Sequence, residues 1–285
     1  MANKFYAMTR DTVFKLMFVN HPELLRKLVA EFLELKLRDI TEFHITNPEL
    51  YPDEFGKKFS RLDIHMIVNG QRVDLEVQVE DEGNYPERSL YYWAKDFAAG
   101  LNESEDYSEL PKTIVISILG FNMFHDSTKY YHEFQCLEVT THMPLTDKQV
   151  LYYYELKKLP TVDSVCNIRD LWLKLFSART EEDIAEIEKM GVPIMNEAIR
   201  TYFKVTASDE LANLERIRTK RGHDEAQALK NAEQRGEKRG EKRGAKKERQ
   251  LWQNVVADKD SLLADRDTKI AELEAMIQSQ ADSTN

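Results

Sequence analysis

Residues 61–79 read Arg61-Leu62-Asp63-Ile64-His65-Met66-Ile67-Val68-Asn69-Gly70-Gln71-Arg72-Val73-Asp74-Leu75-Glu76-Val77-Gln78-Val79. Asn69-Gly70 lies between two alternating runs. Asparagine and glycine both accept the positive φ that a two-residue turn demands, so the stretch reads as a β-hairpin. With the turn fixed, Val68 faces Gln71, Ile67 faces Arg72, His65 faces Asp74, Asp63 faces Glu76 and Arg61 faces Gln78. Strand side chains alternate between faces. One face therefore holds Leu62, Ile64, Met66, Val68, Val73, Leu75, Val77 and Val79, and needs a helix to cover it. The other holds Arg61, Asp63, His65, Ile67, Arg72, Asp74, Glu76 and Gln78.

Counted from the turn, Asp63 and Glu76 form a non-hydrogen-bonded pair, with α-carbons expected about 4.5 Å apart. Like charges directly opposed weaken a sheet. Two readings follow. The face is solvated and Arg61, Arg72 and His65 dilute the repulsion, or the two carboxylates share a divalent cation whose charge reverses the interaction. Hard oxygen ligands without cysteine favour Mg2+, with Mn2+ as the alternative.

Outward from the hairpin, residues 22–37 read as a helix with Leu25, Leu28, Phe32 and Leu35 on one stripe and Pro22 in the first turn. Residues 40–46 read as a strand. After the hairpin, residues 86–101 form a helix with Leu90, Ala94, Phe97 and Leu101 on one face. Residues 112–119 form a buried strand by composition. Strand-like runs follow near 130–139 and 149–157, and from about residue 168 the pattern is helical. Tyr152, Tyr153 and Tyr154 read as strand packing.

The chain has 285 residues, 42% of them apolar and 32% charged, which excludes a wholly disordered chain. Its two cysteines, Cys136 and Cys166, have no zinc-site spacing. No apolar run approaches membrane-spanning length, and Met1-Ala2-Asn3-Lys4-Phe5 lacks a signal-peptide core. The expected location is cytoplasmic, with no membrane partner. Charge is uneven: residues 1–215 carry net −13, residues 216–249 carry +7 and residues 250–285 carry −4. The basic stretch reads either as a solvated helix or as a surface that steers phosphate backbones. Within it a four-residue unit repeats: Gly236-Glu237-Lys238-Arg239, Gly240-Glu241-Lys242-Arg243, Gly244-Ala245-Lys246-Lys247. Each glycine weakens a helix by roughly 1 kcal/mol relative to alanine, so the segment is a flexible linker or a helix held by its neighbours. Beyond it, Trp252, Val256, Leu263, Ile270, Leu273 and Ile277 mark a short heptad seam interrupted by Lys259 and Arg266. The seam fits a homodimer contact, or a helix docked on its own chain.

The runs Arg61-Leu62-Asp63-Ile64, Asn69-Gly70 and Asp74-Leu75-Glu76-Val77-Gln78 resemble the metal-dependent PD-(D/E)XK nuclease superfamily, and within it the bacterial recombination-promoting nuclease and transposase family. Asp11-Thr12-Val13-Phe14-Lys15 resembles that family's opening motif, Arg88, Tyr91 and Tyr92 match its second helix, and Tyr154-Glu155-Leu156-Lys157-Lys158-Leu159-Pro160 resembles its later strand and turn. The Asp224–Arg249 region resembles its tail. The resemblance implies an α/β, restriction-endonuclease-like core, a mixed sheet flanked by helices, over residues 1–160. A helical extension to 215, a charged connector over 216–250 and an amphipathic helix over 251–280 would follow. It also implies Asp63 and Glu76 as acidic metal ligands and the Val77 carbonyl as a third. Gln78 stands where the broad signature has a catalytic lysine. Glutamine is neutral and orients only by hydrogen bonding, so charge work would fall on the metal, on Arg61, or on Lys57 or Lys58. Arg88 and Tyr92 would contact DNA phosphates. Asp11 and Lys15 read as structural.

The implied activity is phosphodiester hydrolysis of DNA, linked to recombination or mobile elements. Two alternatives stand beside it: an inactive nuclease-derived binding or scaffolding module, favoured by the acidic front half and neutral Gln78, and a nuclease serving phage defence.

Overall fold

The computed structural model describes residues 5–46, 63–164 and 167–282. Its elements are α1 (Asp11–Phe18), α2 (Pro22–Phe32), β1 (Phe43–Ile45), β2 (Asp63–Val68), β3 (Gln71–Gln78), α3 (Tyr85–Ala98), β4 (Thr113–Leu119), β5 (Tyr131–Phe134), β6 (Gln149–Glu155), α4 (Ile168–Ser177), α5 (Glu181–Lys189), α6 (Pro193–Thr206) and α7 (Asp209–Asp282). Among the described residues the strands form one six-stranded mixed sheet in the order β1-β2-β3-β4-β6-β5. The β3–β4 and β4–β6 pairs are parallel and the others antiparallel. A parallel β3–β4 pair needs a crossover, and α3 supplies it.

The hairpin register is the one the Asn-Gly turn dictates, with Val68 opposite Gln71, His65 opposite Asp74 and Asp63 opposite Glu76. Asn69 and Gly70 take φ of 49° and 74°. Asn69 does more than turn the chain. Its side-chain oxygen accepts from the amides of Thr41 and Glu42 at 2.8 and 3.1 Å, and its amide donates to the Asp39 carbonyl at 2.8 Å.

The apolar face of the ribbon, from Ile64, Met66 and Val68 to Val73, Leu75 and Val77, enters the main core beside Ile114, Ile116, Ile118 and Tyr154. Side chains of α1, α2, α4 and α6, among them Phe14, Phe18, Leu25, Phe32, Trp172 and Tyr202, fill the same core. Leu62 lies outside the described residues, and Val79 is exposed because β3 ends at Gln78. The opposite sheet face carries a smaller cluster of Tyr85, Val115, Leu119, Phe121, Leu151 and Tyr153, with Trp93 packed against it.

Two helices differ from their sequence patterns. The expected helix over 22–37 stops at Phe32, where Glu34 takes φ of 55° and the Leu35 amide turns back to the Ala30 carbonyl at 2.8 Å. In α3 the buried residues are Tyr85 and Ser89, while Leu90 is 46% exposed. The sheet face under α3 sets Glu76, Ser117 and Tyr153 among the apolar Val115, Leu119 and Leu151, and Tyr85 and Ser89 reach the polar three with hydroxyls that the aliphatic stripe lacks.

The chain divides into two compact units, Met1–Glu215 and Arg216–Asn285. In the first, Glu215 accepts from Arg10 Nε at 2.7 Å and from Thr12 Oγ1 at 2.6 Å, joining the start of α1 to α7. In the second, the glycine repeats lie within the continuous helix α7. On that helix Trp252, Val256, Leu263, Ile270 and Leu273 are exposed. Among the described residues no helix is long and apolar enough to cross a membrane.

Candidate active site

Parallel pairing of β3 with β4 extends the carboxylate pair into a row. Asp63 is the register partner of Glu76, Glu76 of Ser117, and Ser117 of Tyr153. One pleat further toward the strand ends, Gln78 aligns with Leu119 and Leu119 with Glu155. Alternation puts Glu76, Ser117 and Tyr153, and with them Gln78, Leu119 and Glu155, on the face that α3 covers.

Glu76 is only 7% exposed. A carboxylate buried this far needs hydrogen bonds or a cation. Tyr85, fully buried at the first position of α3, brings its hydroxyl within 2.6 Å of Glu76 Oε2 and 2.9 Å of Ser117 Oγ. A phenol has one proton. It goes to the carboxylate, which leaves Ser117 to donate to the tyrosine oxygen. Burial first, and then the nearby Glu76 carboxylate, push the Tyr85 hydroxyl well above its ordinary pKa, so it stays protonated. Ser89, one turn on, hydrogen-bonds the Tyr153 hydroxyl at 2.7 Å.

Beside this row, His65 Nδ1 lies 3.5 Å from Asp74 Oδ1, and Asp74 is 2% exposed. Arg72 donates from Nε to Asp96 at 3.0 Å. Of the three side chains that could dilute the Asp63–Glu76 repulsion, Arg72 is thus bound to Asp96, His65 lies beside Asp74, and Arg61 lies outside the described residues.

Gln78 closes β3. Its amide donates to the Glu80 carbonyl at 2.8 Å, and its side-chain oxygen accepts from Arg88 Nη2 at 2.7 Å. Arg88 Nη1 donates to Glu82 at 2.6 Å, and the guanidinium carbon sits 4.9 Å from the Tyr85 ring centroid. The Gly120 amide donates to the Gln78 carbonyl at 2.8 Å, and a Cβ on Gly120 would come within 2.8 Å of the Val79 carbonyl oxygen. The Val77 side chain is in the main core, so only its backbone is available to a ligand. Tyr92 is half-buried and packs edge-on against Tyr91. Lys15 reaches Asp11 at 3.8 Å, one turn apart on α1, in a structural pairing.

Arg61, Lys57 and Lys58 lie outside the described residues, and Asp63 is described through its backbone pairing. Among the described residues no cluster of three or more His, Cys, Asp or Glu side chains is assembled for a metal.

Sequence reasoning missed Tyr85 and Ser117. Tyr85 precedes Pro86, a helix-start signal, but its partner is visible only once β4 is set beside β3. It also missed a buried ionic cluster at the end of β6. There Glu155 is fully buried and accepts from the Phe124 amide at 3.1 Å and from Lys158 Nζ at 2.7 Å, with His132 Nε2 at 3.4 Å. Lys158 also donates to the Phe124 carbonyl at 2.6 Å, so the cluster fastens the loop after β4.

A mixed sheet with helices on both faces, and an acidic ribbon at its centre, is the architecture of restriction-endonuclease-like proteins. The chain belongs to the PD-(D/E)XK nuclease family transposases, whose family model matches residues 8–232. No curated protein and no solved structure matches it.

Proposed function

We propose that the protein is a divalent-metal-dependent DNA endonuclease acting in recombination or mobile-element biology. The observation that carries this reading is the opposition of Asp63 and Glu76 across the ribbon, with Glu76 buried and fixed by Tyr85. Like charges at opposed positions of a ribbon, one of them the buried Glu76, are a liability to a sheet unless something positive joins them.

The donor set fits a hard cation: Asp63, Glu76 and the Val77 carbonyl offer oxygen only, as Mg2+ or Mn2+ prefers. When bound, such an ion supplies an activated water and neutralises charge developing on the phosphate. The chain's own groups do the positioning. Tyr85 holds Oε2 of Glu76 and so fixes the direction of the carboxylate. Ser117 completes the tyrosine's hydrogen bonding from the next strand. Gly120 grips the Gln78 carbonyl and fixes the strand end. Lys57, Lys58, Arg61, Arg88 and Tyr92 are the proposed DNA contacts, and the α7 seam a proposed homodimer contact.

Nicking of supercoiled plasmid by the full chain tests the reading, with Mg2+, with Mn2+ and with chelator, against Asp63→Ala and Glu76→Ala. We expect metal-dependent nicking lost in both variants. Equal nicking by wild type and variants would assign the activity to a contaminant. No nicking in any lane would favour the inactive binding module.

A further inference from the structure

We propose that Arg88 is the catalytic cation of this site, taking from α3 the role that the superfamily signature gives to a lysine on β3, and that Gln78 is its positioning residue. The inference rests on the nuclease reading above and deepens it.

Gln78 is directed at an arginine: its side-chain oxygen receives Arg88 Nη2 at 2.7 Å while its amide is tied to the Glu80 carbonyl at 2.8 Å. An amide held at both ends is an orienting device, and what it orients is a permanent charge. The Arg88 guanidinium carbon sits over the ring of Tyr85, 4.9 Å from its centroid, and the hydroxyl of that same ring holds Glu76 at 2.6 Å. One tyrosine thus sets the separation between the metal-binding carboxylate and the guanidinium. The ring contact and the hydrogen bonds to Gln78 and Glu82 restrict where the guanidinium can go, and its planar fork matches a phosphodiester's two oxygens.

Arg88 stands in the first turns of a 14-residue helix, where the helix dipole already favours anions and disfavours a cation. The placement is stable when an anion shares it. In this structure the anion is Glu82, 2.6 Å from Nη1, with its side chain 58% exposed, on the turn containing Gly83 at φ of 74°. A surface pair of this kind is worth about 0–1 kcal/mol, so a phosphodiester can replace it at little cost. Glu82 marks the place of the substrate phosphate, and exchange between the two leaves the Gln78 and Tyr85 contacts intact. Arg88 acts by opposing charge that grows on the phosphate oxygens as water attacks.

The experiment is single-turnover and steady-state plasmid nicking with Mg2+ by the full chain, with melting temperature recorded for every protein. Arg88→Gln should lower kcat on the order of 100-fold or more, the scale for losing one preorganised charge donor, without a matching change in melting temperature. Arg88→Lys should recover part of the loss. The double variant Gln78→Lys/Arg88→Gln, which returns a cation to β3, should recover at least tenfold over Arg88→Gln. Glu82→Gln should lower KM. A raised KM with unchanged kcat in Arg88→Gln would reduce Arg88 to a binding contact and overturn the inference. So would an Arg88→Gln enzyme within about threefold of wild type while Asp63→Ala is dead, a result that leaves the nuclease reading intact. A wild type that does not nick removes that reading, and the inference with it.

Discussion

The Tyr85 hydroxyl lies 2.6 Å from Glu76 Oε2, joining the first residue of α3 to the centre of the sheet. Without it the carboxylate would be buried with one fewer donor. Tyr85→Phe keeps the ring and removes the hydroxyl. We expect a stability loss of about 1–3 kcal/mol, the scale for stranding a buried polar group, read by urea denaturation. Plasmid nicking should shift to a higher Mg2+ requirement, because the carboxylate is no longer aimed.

Binding of an ion to the folded state alone stabilises it by mass action, about 2.7 kcal/mol at 100 times its Kd. Mg2+ or Mn2+ should therefore raise the melting temperature of the wild type, with the effect gone in Glu76→Gln. An equal rise in both proteins would place the ion elsewhere.

Asn69 should be more than a turn former. Asn69→Gly keeps the positive φ but loses the hydrogen bonds to the 39–42 segment. Asn69→Ala loses both. The expected order of stability by chemical denaturation is wild type, then glycine, then alanine, with the alanine variant down by about 2 kcal/mol or more. Alanine matching glycine would mean that the left-handed backbone costs nothing here.

The Thr180–Asp183 capping box at α5 gives a pH prediction. Backbone hydrogen bonding, first from the Arg179 amide and then from that of Thr180, holds the Asp183 carboxyl below its ordinary range despite some burial. A lowered carboxylate pKa contributes stability that is present above the unfolded value and is lost as pH falls through the folded one. Thr180→Ala should cost about 1 kcal/mol at neutral pH. Asp183→Asn should cost more at neutral pH than in acid, where the wild-type carboxylate is already protonated. Equal penalties at both pH values would remove the ionised cap.

The four-residue repeat in α7 stacks like charges at i and i+4: Arg235, Arg239, Arg243 and Lys247 on one line, Lys238, Lys242 and Lys246 on the next. Each like-charge pair weakens a helix by about 0.2–0.5 kcal/mol, and each of the three glycines by roughly 1 kcal/mol. Circular dichroism should therefore show helix content rising with salt, and amide exchange should be fastest across residues 236–247. Helicity that is flat with salt would show that repulsion plays no part.

The hairpin and its register were legible because turn chemistry and a period of two act within twenty residues. β4, β6 and the helices from residue 168 were legible from composition and period. The glycine repeat left two conformations open, and helix prevails in α7. The buried side of α3 was not legible. Its hydrophobic stripe pointed to Leu90, Ala94, Phe97 and Leu101, but the helix turns Tyr85 and Ser89 to the sheet, where their hydroxyls meet Glu76, Ser117 and Tyr153, and only the pairing of β3, β4 and β6 brings those three together. The Arg10–Glu215 pairing, the Tyr85–Glu76–Ser117 contact and the Arg88–Gln78 contact depend in the same way on elements brought together by tertiary structure. Propensity carries no record of such contacts.

The fixed turn at Asn69-Gly70 also makes the acidic ribbon a matter of parity. Adding or deleting a single residue anywhere between Asp63 and Glu76 would turn one arm inside out, sending carboxylates toward the aliphatic layer and Ile64 or Leu75 toward solvent. Length variation in this ribbon is therefore confined to changes that leave odd and even positions unmixed, or to bulges that absorb the extra residue locally.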